Sequence, residues 1–551
     1  MEDFSVLIGG KAGDGINSAG LTIAHLLNHL GYRVYMYFDY PSLIKGGHNF
    51  AIVRASPEKI GAHRERADFI LALNNDTVRF HTGLTHPGTV TVYNSDNVKT
   101  VGTGVRVKEI LAAAEAPPIM GNSAIIGAFA KTAGIPWTVV EEVFTKHLPK
   151  GTAKNLAVAK RAYDDAGERF PIQPVGNARF PLMTGNEAIG LGLIHGGLES
   201  YVAYPMTPTS NLLHFLAEQS LSYPLTVVHP ENEIGVIIMA LGFAYAGKKT
   251  AVGTSGGGFC LMTEGFSFAG QAEIPVVIVL GQRTGPSTGL PTYTGQTELH
   301  FALHAGQGEF PRLVVAPGDL EEACEWSSIA LRMAWKYQVP AIILVDKTLC
   351  EGTYCYDESE LSGFNPGPEF PPGDPGADYG RYKITPDGIS PVLYPGSGDT
   401  VVKVNSYTHD ESGVTTEDAG LTALMAEKRF RKGNVMATEL DRAVQVAVSG
   451  DPGSRTALVA WGSNKGVASE VVKALGLRLV RPLVLSPFPK RQMTGALSGV
   501  TKVLSVEDNH EGQLASLLAG NGITVDARVL KFDGRPFTVE GLLQKVREAL
   551  V

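Results

Sequence analysis

The chain has 551 residues, more than one ordinary core accommodates at roughly 150 residues per domain, and its 44% hydrophobic content with 64 glycines fits a globular α/β protein rich in tight strand-to-helix turns. A net charge of −8 without a basic run argues against nucleic acid as a main partner. No apolar run reaches the roughly 18 residues of a membrane span, and the acidic opening MEDFSVLIGG lacks the basic flank and apolar core of a signal peptide, so a cytoplasmic location is expected.

Residues 4–10, FSVLIGG, read as a short apolar strand that leads through KAGDG into the helical pattern INSAGLTIAHLLNHLG. Strands follow at YRVYMYF, FAIVRAS, DFILALN and TVTVYNS, then helices through NSAIIGAFAKTAG and AKNLAVAKRAYDDAGERF. Alternation of this kind predicts a mostly parallel sheet with helices on its faces, here a first α/β domain over 1–178. A second domain, 179–360, opens at TGNEAIGLGLIHGGLESYVAYPMTP, helix into strand, and runs through TAVGTSGGG and IPVVIVLGQ to VPAIILVDK. The segment 361–450 reads as a linker or ordered excursion, because 362–400 is crowded with Pro, Gly and Asp. A third α/β domain, 451–551, begins with RTALVAWGSNKGVASEVVKALG.

Several strand-to-helix junctions carry chemistry. GGKAGDG (9–15) places backbone N–H groups at a helix start, as an anion-holding loop or a merely tight turn would. It matches neither the phosphate loop ending in GK[ST] nor the dinucleotide fingerprint, since Ser18 stands where a third glycine is needed. In YPMTPTS (204–210), two prolines bracket Thr207 at the carboxyl end of a strand, where open α/β sheets bind ligands. TSGGGF brings Gly256, Gly257 and Gly258 to a helix start and permits close backbone approach. GQRTGPSTGLPT follows a further strand and carries Arg283, whose planar cation suits a carboxylate and equally suits a surface ion pair.

HPENEIGVIIMALGFAYAG (229–247) poses the sharpest question. Pro230 suits a first helical position and Gly247 an end, which puts Glu231 and Glu233 in the first turn, where the helix dipole favours negative charge. One acid satisfies that. The run 234–246 is apolar on every side and predicts a helix buried all round. A second acid following it inward needs a partner. Cys260, Cys324, Cys350 and Cys355 have no CxxC or ferredoxin-like spacing, so the chain is expected to work in a reducing compartment without an iron–sulfur ligand set of its own.

YPMTP, ENEIGVIIMALGFAYAG, TSGGGFCLMTEGFSFAGQAEIPVVIV and GQRTGPSTGLPT, in this order, resemble the alpha subunit of 2-oxoacid:ferredoxin oxidoreductases, thiamine diphosphate enzymes that include 2-oxoglutarate synthase. GGKAGDG, YPSLIKGGHNF and IMGNSAIIGAFA resemble the gamma domain that two-subunit members fuse to alpha. The resemblance covers nearly the whole chain, with Met206 in place of the usual isoleucine. It implies a gamma-type domain, a thiamine pyrimidine-binding domain and a C-terminal transketolase-like domain.

The same resemblance implies roles for residues. Glu233 is expected to contact N1′ of the thiamine aminopyrimidine and share a proton with it, with Tyr204, Pro205, Ser255, Gly256 and Gly257 lining the cofactor. Thr207 and Arg283 are expected to hold the carboxylate and carbonyl of the 2-oxoacid, and Lys45 in LIKGG to contact substrate or coenzyme A. No metal ligand is expected in this chain. Neither cluster cysteines nor the diphosphate and Mg²⁺ motif is present, so Mg²⁺ and a [4Fe–4S] cluster are expected on a beta subunit, in an (αβ)2 assembly that reduces ferredoxin. Residues 387–413 resemble the 2-oxoglutarate-type subset. Alternatives are a pyruvate or broad 2-oxoacid enzyme, a thiamine enzyme acting on lipoamide or sugar acceptors, and a non-catalytic nucleotide-sensing subunit leaning on GGKAGDG.

Overall fold

A computed structural model describes residues 3–41, 47–367 and 379–551. The chain divides into two compact units. The first comprises Met1–Thr184, Glu351–Asp357 and Phe537–Glu548; the second comprises Gly185–Cys350, Glu358–Pro536 and Ala549–Val551.

The first unit is built on an eight-stranded sheet. In spatial order its strands are Thr103–Val105, Val90–Asn94, Phe69–Ala72, Phe4–Lys11, His48–Ser56, Arg33–Asp39, Thr353–Cys355 and Leu182–Thr184. The first four are mutually parallel, and every later pair is antiparallel. The parallel half follows from strand–helix alternation. YRVYMYF and FAIVRAS have no helical pattern between them, and such neighbours pair antiparallel. One face is closed by the helices Ile16–His29, Gly121–Thr132 and Thr152–Asp165, whose buried residues join the core around Phe69. The Phe69 ring meets Phe4, Phe129 and Phe170 edge-on.

The second unit contains two sheets. Its seven-stranded sheet runs Val484–Ser486, Leu313–Val315, Pro340–Asp346, Val276–Gln282, Thr250–Ser255, Ser200–Ala203 and Thr226–Val228, all parallel except the first. Parallel strands covered on both faces read as continuous apolar runs, and VVIVL and AIILV are buried throughout. Because the strands run the same way, the segments after Ala203, Ser255 and Gln282 emerge along one edge. The five-stranded sheet is ordered Val446–Gly450, Arg478–Pro482, Thr456–Ala460, Lys502–Glu507 and Ala527–Leu530. Strand Val484–Ser486, inside the last predicted domain by sequence, leaves that sheet and extends the seven-stranded one. Buried Gln296 ties the two sheets together: its Nε2 donates to the Trp461 carbonyl at 3.0 Å, and its Oε1 accepts from Asn464 Nδ2 at 2.9 Å and from the Asp508 N–H at 3.1 Å.

Of the proline- and glycine-rich stretch, 368–378 lie outside the described residues. Residues 379–418 form neither helix nor regular strand and lead into the helix Ala419–Leu440. Three cations clamp this excursion onto Glu273, the residue after the helix Gly256–Ala272. Lys428 Nζ lies 2.7 Å from Glu273 Oε1, Lys432 Nζ bonds Oε2, and Arg381 Nη2 donates to the Glu273 carbonyl at 2.7 Å. Side chains of Glu273, Lys428 and Lys432 are all buried. The cations hold the Glu273 carboxyl well below its ordinary range despite burial. Glu273 caps the helix Gly256–Ala272 at φ 51°, a left-handed conformation uncommon outside glycine, its N–H donating to the Ala269 carbonyl.

Removing one partner of a buried ion network leaves uncompensated charge, so Glu273→Ala is expected to lower unfolding free energy by about 3–5 kcal/mol. Equilibrium denaturation checks this. A depressed carboxyl contributes stability above its unfolded-state value and loses it as pH falls, so the wild-type advantage over the variant should shrink below about pH 4.5.

Candidate cofactor and substrate site

The helix Glu233–Tyr245 starts later than its sequence suggests. Its first residue is Glu233, not Pro230; Asn232 precedes it, and the Asn232 side-chain oxygen caps the helix by accepting the Gly235 N–H at 2.9 Å. Glu231 therefore stays exposed before the helix, while Glu233 is only 4% exposed. Nor is the helix buried all round. Val236, Ile237, Ala240, Leu241 and Ala244 face inward, but Ile234, Ile238 and Met239 are 55%, 52% and 47% exposed. An apolar helix with one open face is a different object from a core helix, and residue types alone do not distinguish them.

Glu233 lies over the turn that begins the next helix, Gly256–Ala272. A Cβ added at Gly258 would overlap Thr254 Oγ1 and come within 2.6 Å of Glu233 Oε1, so glycine is required for the carboxylate to sit there. That Glu233 Oε1 is buried and has no hydrogen-bond partner. Two neighbours share the condition: Ser255 Oγ at the start of the turn, and Nε2 of Gln282, fully buried at the end of the adjacent strand Val276–Gln282. Buried polar atoms are nearly always bonded, and an unpaired one costs about 1–3 kcal/mol. Several on adjoining strand ends mark a place prepared for a polar ligand.

The YPMTPTS loop contributes the neighbouring wall. Arg283, half-buried, donates from Nη1 to the Thr207 carbonyl at 3.2 Å, so the two residues expected to grip one substrate do meet. Tyr204 is 38% exposed, its ring edge-on to His229, and Pro205 is partly exposed beside it. Gly256 is partly exposed and Gly257 exposed. Lys45 lies outside the described residues.

One participant, Glu298, carried no signal in the sequence reading. A Cβ on Gly256 would lie 2.7 Å from its Oε1, its Oε2 is buried without a partner, and its N–H donates to Gln282 Oε1 at 3.1 Å. Burial pushes its carboxyl up to about 7, against the opposing pull of Thr297 and Arg283. Its sequence context, GQTELHFALH, shows only an acid ahead of a short apolar run.

In the first unit, GGKAGDG forms the strand–turn–helix expected, with Gly13 and Gly15 at positive φ. The Asp14 carboxylate folds back to accept the Lys11 N–H at 2.9 Å. The loop thus supplies an anion of its own to one of its N–H groups.

Comparison with known proteins bears directly on this arrangement. Residues 191–427 match the family described as pyruvate flavodoxin/ferredoxin oxidoreductase, thiamine diphosphate-binding, and residues 5–165 match the pyruvate ferredoxin/flavodoxin oxidoreductase family. The alpha subunit of a Sulfolobus 2-oxoacid:ferredoxin oxidoreductase is 31% identical, the alignment covering 99% of this chain and 96% of the relative. The chain belongs to the 2-oxoacid:ferredoxin oxidoreductase alpha-subunit family. A 2-oxoglutarate oxidoreductase subunit KorA of Mycobacterium tuberculosis is 28% identical over 70% of this chain and 60% of its own length. The structure of 2-oxoglutarate:ferredoxin oxidoreductase from Magnetococcus marinus, with 2-oxoglutarate, coenzyme A and succinyl-CoA bound, superimposes with a TM-score of 0.89 at 29% identity, covering 100% of both chains.

In this oxidoreductase family member, Gly258→Ala is expected to displace the Glu233 carboxylate. The overpacking should cost about 1–3 kcal/mol of stability, a loss the fold can absorb, while turnover collapses. Denaturant midpoint and turnover measured on the same preparation check this; unchanged turnover would mean that the placement of Glu233 is unimportant.

Proposed function

We propose that this chain is the alpha subunit of a thiamine-diphosphate-dependent 2-oxoglutarate:ferredoxin oxidoreductase. The reaction converts 2-oxoglutarate and coenzyme A to succinyl-CoA and CO2, passing two electrons to ferredoxin. The observation that carries this reading is the Glu233 oxygen, buried and unpaired above Gly258. The aminopyrimidine of thiamine diphosphate fits it, because N1′ can hold a proton between ring and carboxylate. The KorA relatives and the Magnetococcus enzyme favour 2-oxoglutarate as the substrate.

Thiamine diphosphate, when bound, supplies the carbanion chemistry that separates the 2-oxoacid's carbonyl carbon from its carboxylate. The chain's residues orient and protonate. Glu233 holds the proton at N1′, and Tyr204, Pro205, Ser255, Gly256 and Gly257 shape the cofactor wall. Arg283 and Thr207 receive the 2-oxoacid carboxylate and carbonyl, and Lys45 meets substrate or coenzyme A. Glu298 lies beside Arg283, and burial, which raises its carboxyl toward neutrality, leaves it opposing the guanidinium charge less than an ordinary carboxylate would.

The rest of the machinery belongs to a beta subunit. This chain's four free cysteines are scattered, so we assign the [4Fe–4S] cluster and the Mg²⁺-bound diphosphate site to that partner. The exposed face of Ile234, Ile238 and Met239, with Leu261 and Cys260 exposed on the adjacent helix, suits a surface covered by another chain. We take the assembly as (αβ)2 and its location as cytoplasmic; among the described residues no helix is long and apolar enough to cross a membrane. The division 1–178, 179–360, 361–450 and 451–551 is our proposed functional partition, the first part being gamma-type.

The test compares the chain alone with the chain co-expressed with its beta subunit. Alone it should be iron-free and inactive in 2-oxoglutarate- and coenzyme A-dependent viologen reduction. The complex should be brown and active. Stoichiometric cluster iron in the isolated chain would defeat the two-subunit assignment, and a colourless complex would defeat the ferredoxin oxidoreductase reading.

A further inference from the structure

Two helices of the first unit, Ile16–His29 and Trp137–His147, meet the segment 179–182 around a cleft of about 460 Å³. That volume lies within the range of small-molecule sites, about 300–1,000 Å³. Its charged lining is unusual for a chain of net charge −8. His25 and His29 come from the first helix, Glu142, Lys146 and His147 from the second, and Arg179 from the segment. Val143, Phe180 and Leu182 add an apolar wall.

The internal contacts show these cations without an anion of matching strength. The His25 and His147 rings stack face to face, centroids 3.5 Å apart and 14° from parallel. Arg179 Nη2 donates to His29 Nε2 at 2.7 Å, which requires that imidazole nitrogen to be unprotonated. The 3.3 Å approach of Glu142 Oε2 to the same nitrogen is therefore no ion pair in this state. Arg179 reaches Glu142 weakly, at 3.4 Å. The fixed charges then comprise two cations and one carboxylate, with three neutral imidazoles able to add more. Helix ends collect cations to oppose their dipole, but that accounts for neither His25, a turn inside its helix, nor Arg179, outside both.

A metal is the poorer fit. Stacked rings present their nitrogens side by side instead of converging on one point. Among the described residues, the donor cluster compact enough for a cation is elsewhere, at Asp319, Glu321 and Glu360.

We propose that this cleft binds a small organic phosphate monoester, Arg179 and Lys146 holding the phosphate, the histidines adding charge, and the apolar wall accepting the organic part. A guanidinium fork suits phosphate oxygens, and an ammonium serves as a point charge beside it. Desolvation, mutual repulsion and Lys146 lower His25 to about 4, and His29 and His147 are lowered as well, so the empty cleft holds its imidazoles neutral at pH 7. A bound dianion reverses that balance. Binding is accompanied by proton uptake and strengthens as pH falls from 8 toward the phosphate's own second ionisation near about 6. The site does not depend on the reaction proposed above.

The experiment is calorimetric titration of the full chain with its partner subunit, with thiamine diphosphate and coenzyme A saturating so that their phosphate sites are filled. The probes are AMP, adenosine and inorganic phosphate at pH 6.5 and 8, in two buffers of different ionisation enthalpy. AMP should bind with net proton uptake and more tightly at pH 6.5, whereas adenosine should not bind. Inorganic phosphate competing as strongly as AMP would show that the apolar wall contributes nothing and would overturn the monoester assignment. Arg179→Ala with Lys146→Ala should weaken AMP by about a hundredfold, each charge-assisted contact being worth about tenfold or more. His25→Gln with His147→Gln, a milder change, should abolish most of the proton uptake. No saturable heat with AMP or phosphate up to about 5 mM, a free energy near the weakest specific binding, would overturn the proposal. So would affinity and proton uptake unchanged in both variants.

Discussion

A carboxylate oxygen of Glu233 is buried at the head of an apolar helix with no donor to meet it. Much of the second unit is arranged around that condition. Asn232 takes the capping duty, so Glu233 is not needed to satisfy the helix start. Gly258 gives up its side chain so that the carboxylate fits, and Thr254 closes the other side of the same space. An arrangement that leaves a polar atom unpaired persists when a ligand completes it or when the surrounding structure over-determines it. The second holds here, since the turn is fixed by parallel strands whose register runs unbroken from Thr250–Ser255 to Val276–Gln282.

Parallel register also explains how distant sequence segments become one site. The loop after Ala203, the glycine turn after Ser255 and Arg283 after Gln282 are separated by dozens of residues. The sheet brings them to one edge, and the Arg283–Thr207 bond joins two of them directly. Behind that edge, Glu273 and its three cations hold the long excursion to the far end of the helix Gly256–Ala272 that starts at the glycine turn. The helix is therefore fixed at both ends, by closely packed glycines at one and a buried charge cluster at the other. Burying such a cluster is a poor way to gain stability, which makes positional definition of the helix the more economical reason for it.

Local signals in the sequence were sufficient where one residue decides the geometry. Gly13 and Gly15 mark a strand-to-helix turn, Gly256 and Gly258 mark close approach, and the prolines mark the Thr207 loop. Strand runs such as VVIVL were equally legible, because burial on both faces leaves no polar alternation. What remained illegible depends on partners in space. The open face of Ile234, Ile238 and Met239 reads like core because residue types alone do not tell an exposed apolar face from a buried one. Glu298 is unremarkable by sequence, and its raised carboxyl comes from burial beside the Gly256 turn, with Arg283 pulling the other way. The histidine cleft is assembled from three segments far apart in sequence, carrying His25 and His29, Glu142 to His147, and Arg179.

The central claim is that the buried Glu233 carboxylate exchanges a proton with the cofactor's aminopyrimidine and so activates it. Exchange of the C2 proton of bound thiamine diphosphate with deuterated solvent measures that activation directly, without dependence on substrate binding or electron transfer. In the complex, Glu233→Gln should still bind the cofactor but exchange the C2 proton about 10²–10⁴-fold more slowly, the usual range for a lost general acid–base group. Exchange at the wild-type rate in a cofactor-loaded Glu233→Gln complex would contradict the account.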